Sequence, residues 1–175
     1  MNIRTAIITL SDKGAAGERE DESGKVIREM ISTISASAIH YEILPDEKQR
    51  IVETLKKLAD SCTIDLILTT GGTGVAPRDV TPEATRLVID RELPGMAEAM
   101  RAESLKKTPH AMISRAVAGI RKQTLIVNLP GSPKAVRENL AVILPALPHA
   151  IEKIKGDPSE CAIHSDDGPL TTSER

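Results

Sequence analysis

Short β-rich runs alternate with segments of helical periodicity along nearly the whole chain, and this alternation constrains the fold more than any other feature. Between the runs, apolar residues recur every three or four positions, as they do on the buried face of a helix. A strand–helix–strand order favours right-handed crossovers and a mostly parallel sheet with helices on both faces. The sequence therefore predicts an α/β fold, a three-layer α/β/α sandwich, with strands at residues 3–10, 39–43, 65–69 and 124–128.

The helical segments carry recognisable start signals. Ser23, Thr81 and Ser132 are the expected N-caps, and Thr81 and Ser132 each stand directly before a proline, which suits the first turn of a helix. Further helices are predicted at about residues 96–106 and 111–120.

The core must be aliphatic, because the chain has no Phe, no Trp and a single Tyr. Methionine is flexible enough to fill the gaps that aromatic rings would otherwise occupy. The expected fillers are Met30, Met96, Met100 and Met112. In the second strand the apolar residues alternate with polar ones, which predicts a half-buried strand with an inner face formed by Ile39, Tyr41 and Ile43.

The charge balance excludes several classes of partner. The formal net charge is −2, and residues 156–175 hold five acids and one base, so the body of the chain is close to neutral. Such a body has no field to attract duplex DNA or an anionic membrane. Without aromatic platforms it is also unsuited to stacking on RNA or single-stranded DNA. We therefore expect neither nucleic acid nor membrane among its partners.

Apolar runs, cysteine spacing and chain length indicate the location and the domain organisation of the chain. No apolar run approaches the roughly 18 residues of a membrane span, and the amino terminus lacks the features of a signal peptide. Cys62 and Cys161 form no CxxC pair, so two reduced thiols and a cytoplasmic location are expected. A chain of 175 residues suits one domain, predicted at residues 1–156.

A polar, acidic tail is predicted at residues 157–175. It has too few apolar residues to offset the entropy lost on ordering. We expect it to contribute little to the fold or the chemistry; the alternative is that it packs along a neighbouring subunit.

Four predicted strands end in loops of unusual composition. In an open parallel sheet, ligands bind beyond the carboxyl ends of the strands, so these loops are expected to meet at one edge. Their sequences are SDKG at 11–14, LPDE at 44–47, TGGTG at 70–74 and NLPGS at 128–132.

The glycine-rich loop suits a phosphate. Gly71, Gly72 and Gly74 let the backbone approach a ligand closely and turn its N–H groups toward oxygens. The loop is neither a Walker A motif nor a GxGxxG fingerprint, so the alternative is a tight strand-to-helix turn.

Two carboxylates, Asp46 and Asp79, also follow strands near this edge and would suit a Mg²⁺–nucleotide complex. Alternatively, Asp46 caps the next helix and Asp79 caps a backbone turn. Arg78 either meets a phosphate or is a solvated surface base. Ser114 lies in a predicted helical stretch, where a surface or capping role is the simplest interpretation.

Residues 69–85, TTGGTGVAPRDVTPEAT, closely resemble the MogA/MoaB family of molybdenum-cofactor biosynthesis, which includes the amino-terminal domain of gephyrin. The resemblance covers about residues 3–155. Further family-like motifs stand in family order: SD at 11–12, LPDE at 44–47, LPGM at 93–96, ISR at 113–115 and NLPGSP at 128–133.

The resemblance implies a molybdopterin adenylyltransferase, which moves AMP from ATP to the terminal phosphate of molybdopterin and uses Mg²⁺. It also implies a homotrimer and raises the possibility of a molybdate-inserting protein as partner. The alternative is a binding-only member of the family. The aspartates implied in catalysis and metal binding are Asp46 and Asp79. The resemblance and the loop positions together indicate substrate contacts at Ser11, Asp12, Gly71, Gly72, Thr73, Gly74, Arg78, Ser114, Asn128, Pro130, Gly131 and Ser132.

Overall fold

A six-stranded sheet forms the centre of the computed structural model, which describes residues 2–156. The strand order is β2-β1-β3-β6-β5-β4; the first four are parallel, and β5 runs antiparallel to both β6 and β4. The predicted mostly parallel sheet is therefore confirmed. The strands are β1 (Ile3–Leu10), β2 (Ala36–Leu44), β3 (Leu66–Thr70), β4 (Arg91–Glu92), β5 (Ala118–Arg121) and β6 (Thr124–Leu129).

Helices cover both faces of the sheet. Those on one face are α2, α5, α6 and α7, and α3 and α4 cover the other. Among the described residues, no helix combines the length and apolar character needed to cross a bilayer. The helices are α1 (Asp12–Ala15), α2 (Glu22–Ile31), α3 (Lys48–Asp60), α4 (Thr81–Arg86), α5 (Pro94–Leu105), α6 (Pro133–Ile143) and α7 (Leu147–Ile154).

Each central strand contributes to two hydrophobic cores, because successive side chains point to opposite faces. In β1, Ile7 packs in the core beneath α2, and its neighbour Ile8 packs in the core beneath α3. Leu66 and Ile67 of β3 divide in the same way. Strands buried on both faces need nearly continuous apolar runs, which is why these segments were recognisable.

Two of the three predicted N-caps are wrong. Asp21 caps α2, since its Oδ1 accepts the N–H of Gly24 at 2.9 Å, and Ser23 lies inside the helix. Val80 occupies the N-cap position of α4 without a side-chain bond, so Thr81 is the first helical residue. The third prediction is confirmed, because Ser132 Oγ accepts the N–H of Ala135 at 3.2 Å.

The predicted helical stretch at 111–120 is also wrong. A short 3₁₀ helix at Pro109–Ile113 is followed by strand β5, which turns back onto β6 at Lys122, a residue with a φ of 50°. A Cβ at Gly119 would lie 2.6 Å from Ile89 Cδ1 and 2.8 Å from the carbonyl oxygen of Arg91. Tertiary contact with these residues, rather than local periodicity, selects the strand.

The burial predictions hold only in part. Met96 and Met100 are buried and Met30 packs against the same core, whereas the side chain of Met112 is 70% exposed and is not a filler. Ile39 and Tyr41 are likewise exposed, because β2 is an edge strand that the helices cover incompletely.

The remaining predictions concern the two cysteines and the tail. The thiol of Cys62 is free and exposed. Cys161 and the predicted tail at 157–175 lie outside the described residues.

A buried carboxylate ties together the amino-terminal edge of the sheet. Asp65 Oδ1 lies 2.7 Å from Arg4 Nη2 and 2.7 Å from Lys155 Nζ, and its Oδ2 accepts the N–H of Arg4 at 2.9 Å. Burial alone would raise the pKa of Asp65, but the hydrogen bonds from Arg4 and Lys155 outweigh burial and hold this pKa well below its usual range.

We predict that Asp65→Asn lowers the free energy of unfolding by roughly 1–3 kcal/mol at pH 7, because the bonded charge is lost. A depressed folded-state pKa stabilises the fold above the unfolded-state pKa, near 3.9, and this contribution is lost as the pH falls. Urea denaturation should therefore show a difference in the free energy of unfolding between wild type and variant, and this difference should narrow below about pH 4. Glu53→Gln, which changes an exposed carboxylate, is the control. A gap of the same size at pH 7 and pH 3 would contradict this account.

Candidate active site

The carboxyl ends of β1, β2, β3 and β6 meet at one edge of the sheet, as predicted, and form a cleft of about 350 Å³. The start of α2 closes one side of this first cleft. Of the predicted site residues, it is lined by Ser11, Asp46, Gly71, Gly72, Asp79, Gly131 and Ser132.

A second cleft of about 420 Å³ lies beside the first. Its remaining walls come from α5, the 3₁₀ helix at Pro109–Ile113 and α6. It brings in the predicted residues Thr73, Gly74, Ser114 and Pro130. Both clefts are lined by the same four residues, which we call the junction: Gly72, Asp79, Gly131 and Ser132.

The glycine-rich loop has a backbone that other residues could not adopt without strain. Gly71 has a φ of 100° and Gly72 a φ of 63°. A Cβ on Gly71 would collide with the carbonyl oxygen of Leu10; one on Gly72 would collide with Thr81 Oγ1. The loop is thus a tight turn and also a wall of both clefts, so the two interpretations of its sequence are compatible.

Hydrogen bonds join the loop after β3 to the loop after β6. Thr70 Oγ1 donates to the carbonyl oxygen of Pro130 at 2.7 Å, and the N–H of Gly71 donates to that of Leu129 at 3.2 Å. Ser23, at the start of α2, donates to the carbonyl oxygen of Gly131 at 2.8 Å. The loop after β3, the loop after β6 and the start of α2 are therefore bonded together around the junction.

One carboxylate oxygen of Asp46 has no hydrogen-bond partner. Its Oδ2 accepts the N–H of Asp12 at 3.2 Å, while its Oδ1 is buried and has no hydrogen-bond partner. Burial, with the nearby charges of Asp12 and Asp79, raises the pKa of Asp46. Asp46 does not cap the next helix, since Glu47 occupies that position.

Asp12 and Arg78 form a bidentate ion pair beside the clefts. Arg78 Nη2 lies 2.7 Å from Asp12 Oδ1, and Arg78 Nε lies 3.0 Å from Asp12 Oδ2. The hydrogen bonds from Arg78 lower the pKa of Asp12. Neither residue is among those lining the two clefts, and contact of Arg78 with a phosphate stays a prediction.

Asp79 caps a backbone turn, which is one of the two roles that its sequence context suggested. Its Oδ2 accepts the N–H of Ala76 at 2.9 Å, which closes a backbone turn. Asp79 is also one of the residues that line both clefts, and its role as a metal ligand stays a prediction.

Asn128 lies beneath the site and not at its rim, where the sequence suggested it. Its side chain is fully buried; Nδ2 donates to Thr69 Oγ1 at 3.0 Å and to Thr85 Oγ1 at 2.9 Å, and Oδ1 accepts the N–H of Val117 at 3.2 Å. Asn128 thus joins β6 to β3 and α4 and supports the floor of the site.

Sequence reasoning missed Asp21. It lines the first cleft, and its Oδ2 accepts hydrogen bonds from Thr9 Oγ1 at 2.5 Å and from the hydroxyl of Tyr41 at 2.7 Å. The available signal was an acidic residue two positions before the expected cap.

Arg115 was also missed as a functional residue. It donates to carbonyl oxygens of the glycine-rich loop and of Asp79, contacts that no spacing in the sequence reveals.

The first cleft is strongly acidic for a site that would take phosphates. Arg19 is the one basic residue in its lining, which also contains the carboxylates of Glu20, Asp21, Glu22, Asp46 and Asp79. Within residues 2–156, no group of three or more His, Cys, Asp or Glu side chains is arranged to hold a metal ion. Mg²⁺ commonly uses one or two carboxylates and completes its shell with water and phosphate. The unpartnered oxygen of Asp46 and the neighbouring Asp79 fit that chemistry.

Residues 6–149 match the family model described as a probable molybdopterin binding domain. The chain belongs to this family. The predicted resemblance is therefore confirmed over most of the described residues.

Relatives of the family support this assignment. A molybdopterin adenylyltransferase of Helicobacter pylori strain J99 is 46% identical over 157 residues, which are 89% of each chain. That of Escherichia coli K12 is 44% identical over 140 residues, 79% of this chain and 72% of its own. A solved structure of the molybdopterin biosynthesis enzyme MoaB from Thermus thermophilus is 53% identical, with a TM-score of 0.84 over 89% of this chain and 98% of its own.

We predict that Gly72→Ala lowers the free energy of unfolding by about 1–3 kcal/mol, because a left-handed backbone disfavours a side chain and Thr81 blocks the Cβ. The control is Gly95→Ala in α5, where a Cβ meets nothing within 4 Å and alanine is the better helix former. Chemical denaturation of both variants gives the comparison. Equal stabilities would show that the loop does not need glycine at this position.

Proposed function

We propose that this protein is a molybdopterin adenylyltransferase, which transfers AMP from ATP to the terminal phosphate of molybdopterin and releases pyrophosphate. The observation that carries the proposal is the pair of clefts that meet at the junction of Gly72, Asp79, Gly131 and Ser132. Such an arrangement suits two substrates whose reacting phosphates must come together. The curated relatives at 46% and 44% identity carry the same activity in their names.

The composition of each cleft suggests which substrate it takes. The carboxylates of the first cleft would repel a free polyphosphate, so this cleft suits a nucleotide that arrives with Mg²⁺. The second cleft offers Arg101, Ser114 and Asn139 beside the apolar Ala111 and Ile113, a mixture that suits a pterin and its phosphate.

The reaction needs alignment more than it needs a base. An anionic phosphate oxygen of molybdopterin attacks the α-phosphorus of ATP; the new oxygen–phosphorus bond forms as the bond to the bridging oxygen of the β-phosphate breaks, and pyrophosphate leaves with that electron pair. Because the nucleophile is already charged, the protein contributes orientation and charge stabilisation. The amide groups of the glycine-rich loop and the N-terminus of α6 would supply part of that stabilisation.

Asp46 and Asp79 would hold Mg²⁺ together with the substrate phosphates. The ion, when bound, neutralises charge on the phosphate oxygens. The residues of the chain would then fix the two reacting groups at the junction.

A second candidate is a binding protein without catalysis. It is favoured by the description of the family, which names molybdopterin binding alone. The carboxylates of Asp79 at the junction and of Asp46 in the first cleft favour the enzyme, because binding of a pterin phosphate alone would not require them.

We predict that Asp46→Asn and Asp79→Asn each reduce the rate of AMP transfer by at least about a hundredfold, since loss of metal–phosphate stabilisation costs several kcal/mol. Both changes keep the shape of the side chain, so the fold should persist. The rate of formation of adenylylated molybdopterin is measured beside thermal melting, with Glu53→Gln as the surface control. Near-wild-type turnover in either variant would refute its assigned role.

We propose in addition a cytoplasmic homotrimer, with a molybdate-inserting protein as a further partner. The threefold assembly is supported by exposed apolar side chains at the end of α5 and in the 3₁₀ helix at Pro109–Ile113, namely Leu105, Met112 and Ile113. A closed ring of identical subunits uses such heterologous surfaces.

We expect light scattering at micromolar concentration to give about three times the chain mass of 18.8 kDa. Met112→Ser and Ile113→Ser together should weaken the assembly without unfolding the subunit, since both side chains are exposed. A wild-type mass of one chain would overturn the trimer.

A further inference from the structure

We infer that Arg115 is a positioning residue, whose guanidinium holds Asp79 and the glycine-rich loop at the junction. The inference concerns how the active site is kept in shape, and its kinetic test rests on the proposed adenylyl transfer.

The geometry is that of a clamp with several bonds. Arg115 Nε donates to the carbonyl oxygen of Gly74 at 2.6 Å, and Nη2 donates to that of Asp79 at 2.6 Å. The N–H of Arg115 donates to the carbonyl oxygen of Thr73 at 2.9 Å. Arg115 Nη1 pairs with Glu83 in α4, which anchors the clamp to a helix.

The clamped segment lies between strand β3 and helix α4. From Thr73 to Asp79 the chain runs outside helix and strand, and the side chain of Val75 is 64% exposed. Gly74, near the start of this segment, and Asp79, at its end, are joined through one guanidinium. A shift at either end would move the carboxylate of Asp79 relative to both clefts.

Arg115 acts through these residues and not on the substrates. Arg115 lies in a shallow depression that it shares with Asp79 and Glu83, and it is not among the residues that line the two clefts. A planar fork with five donors can serve several acceptors in fixed directions, whereas lysine is a single point of charge. The clamp therefore requires the shape of the guanidinium, and a positive charge alone does not replace it.

The test compares Arg115→Lys and Arg115→Gln with wild type. Arg86→Gln is the matched control, because it removes a cation from the neighbouring helix α4 whose pair with Glu92 is exposed. Steady-state kinetics with molybdopterin and Mg·ATP should show kcat reduced about tenfold to a hundredfold in both Arg115 variants. A loss of this size is typical when a group that orients a ligand-binding residue is removed. KM for each substrate should change less than about threefold, because the clefts keep their linings.

Hydrogen exchange supplies a readout that does not depend on activity. Amides of residues 73–80 should exchange faster in both Arg115 variants, at temperatures where the core strands β1 and β3 remain as protected as in wild type. If wild-type protein fails to transfer AMP, the proposed function fails, and this exchange pattern still decides whether the clamp exists.

Four results would overturn the inference. Wild-type kcat in Arg115→Lys would show that charge alone suffices. A raised KM with unchanged kcat would make Arg115 a binding group. Unchanged amide exchange at residues 73–80 would show that Arg115 has no specific role in the loop. Faster exchange spread evenly over the chain would show only a general structural role.

Discussion

The site depends on one constraint: four parallel strands must end at the same edge of the sheet. Parallel pairing of β2, β1, β3 and β6 brings together loops that are far apart in the chain. Buried bonds then keep these loops in register, notably those from Asn128 to Thr69 and Thr85. The clefts are therefore a product of the sheet, and changes beneath the floor are expected to reach the chemistry above it.

Charge explains why two neighbouring clefts differ. The lining of the first cleft has five carboxylates and one basic residue, Arg19, so under the proposed function this cleft would suit a ligand that arrives with a cation. One oxygen of Asp46 is buried without a hydrogen-bond partner, and burial together with the charges of Asp12 and Asp79 raises the pKa of this side chain. The second cleft lacks this excess of acids and carries Arg101 instead. The junction is the place where both environments meet.

Sequence reasoning succeeded where local chemistry decides the structure and failed where distant contacts do. Local chemistry made two features predictable: the continuous apolar runs of β1, β3 and β6, and the glycines at 71 and 72, where the backbone is left-handed. The strand β5 and the buried position of Asn128 depend on partners elsewhere in the chain. The same holds for Arg115, whose acceptors lie in a loop that precedes it by many residues.

The central claim is that the two clefts serve one reaction. A single-turnover experiment tests it most directly: wild-type protein in excess is mixed with molybdopterin and Mg·ATP, and product is followed by mass spectrometry beside released pyrophosphate. We expect adenylylated molybdopterin and pyrophosphate to appear in equal amounts and at the same rate, and neither to form when one substrate is omitted. Tight binding of molybdopterin with no adenylylated product would contradict the account and leave a binding protein in its place.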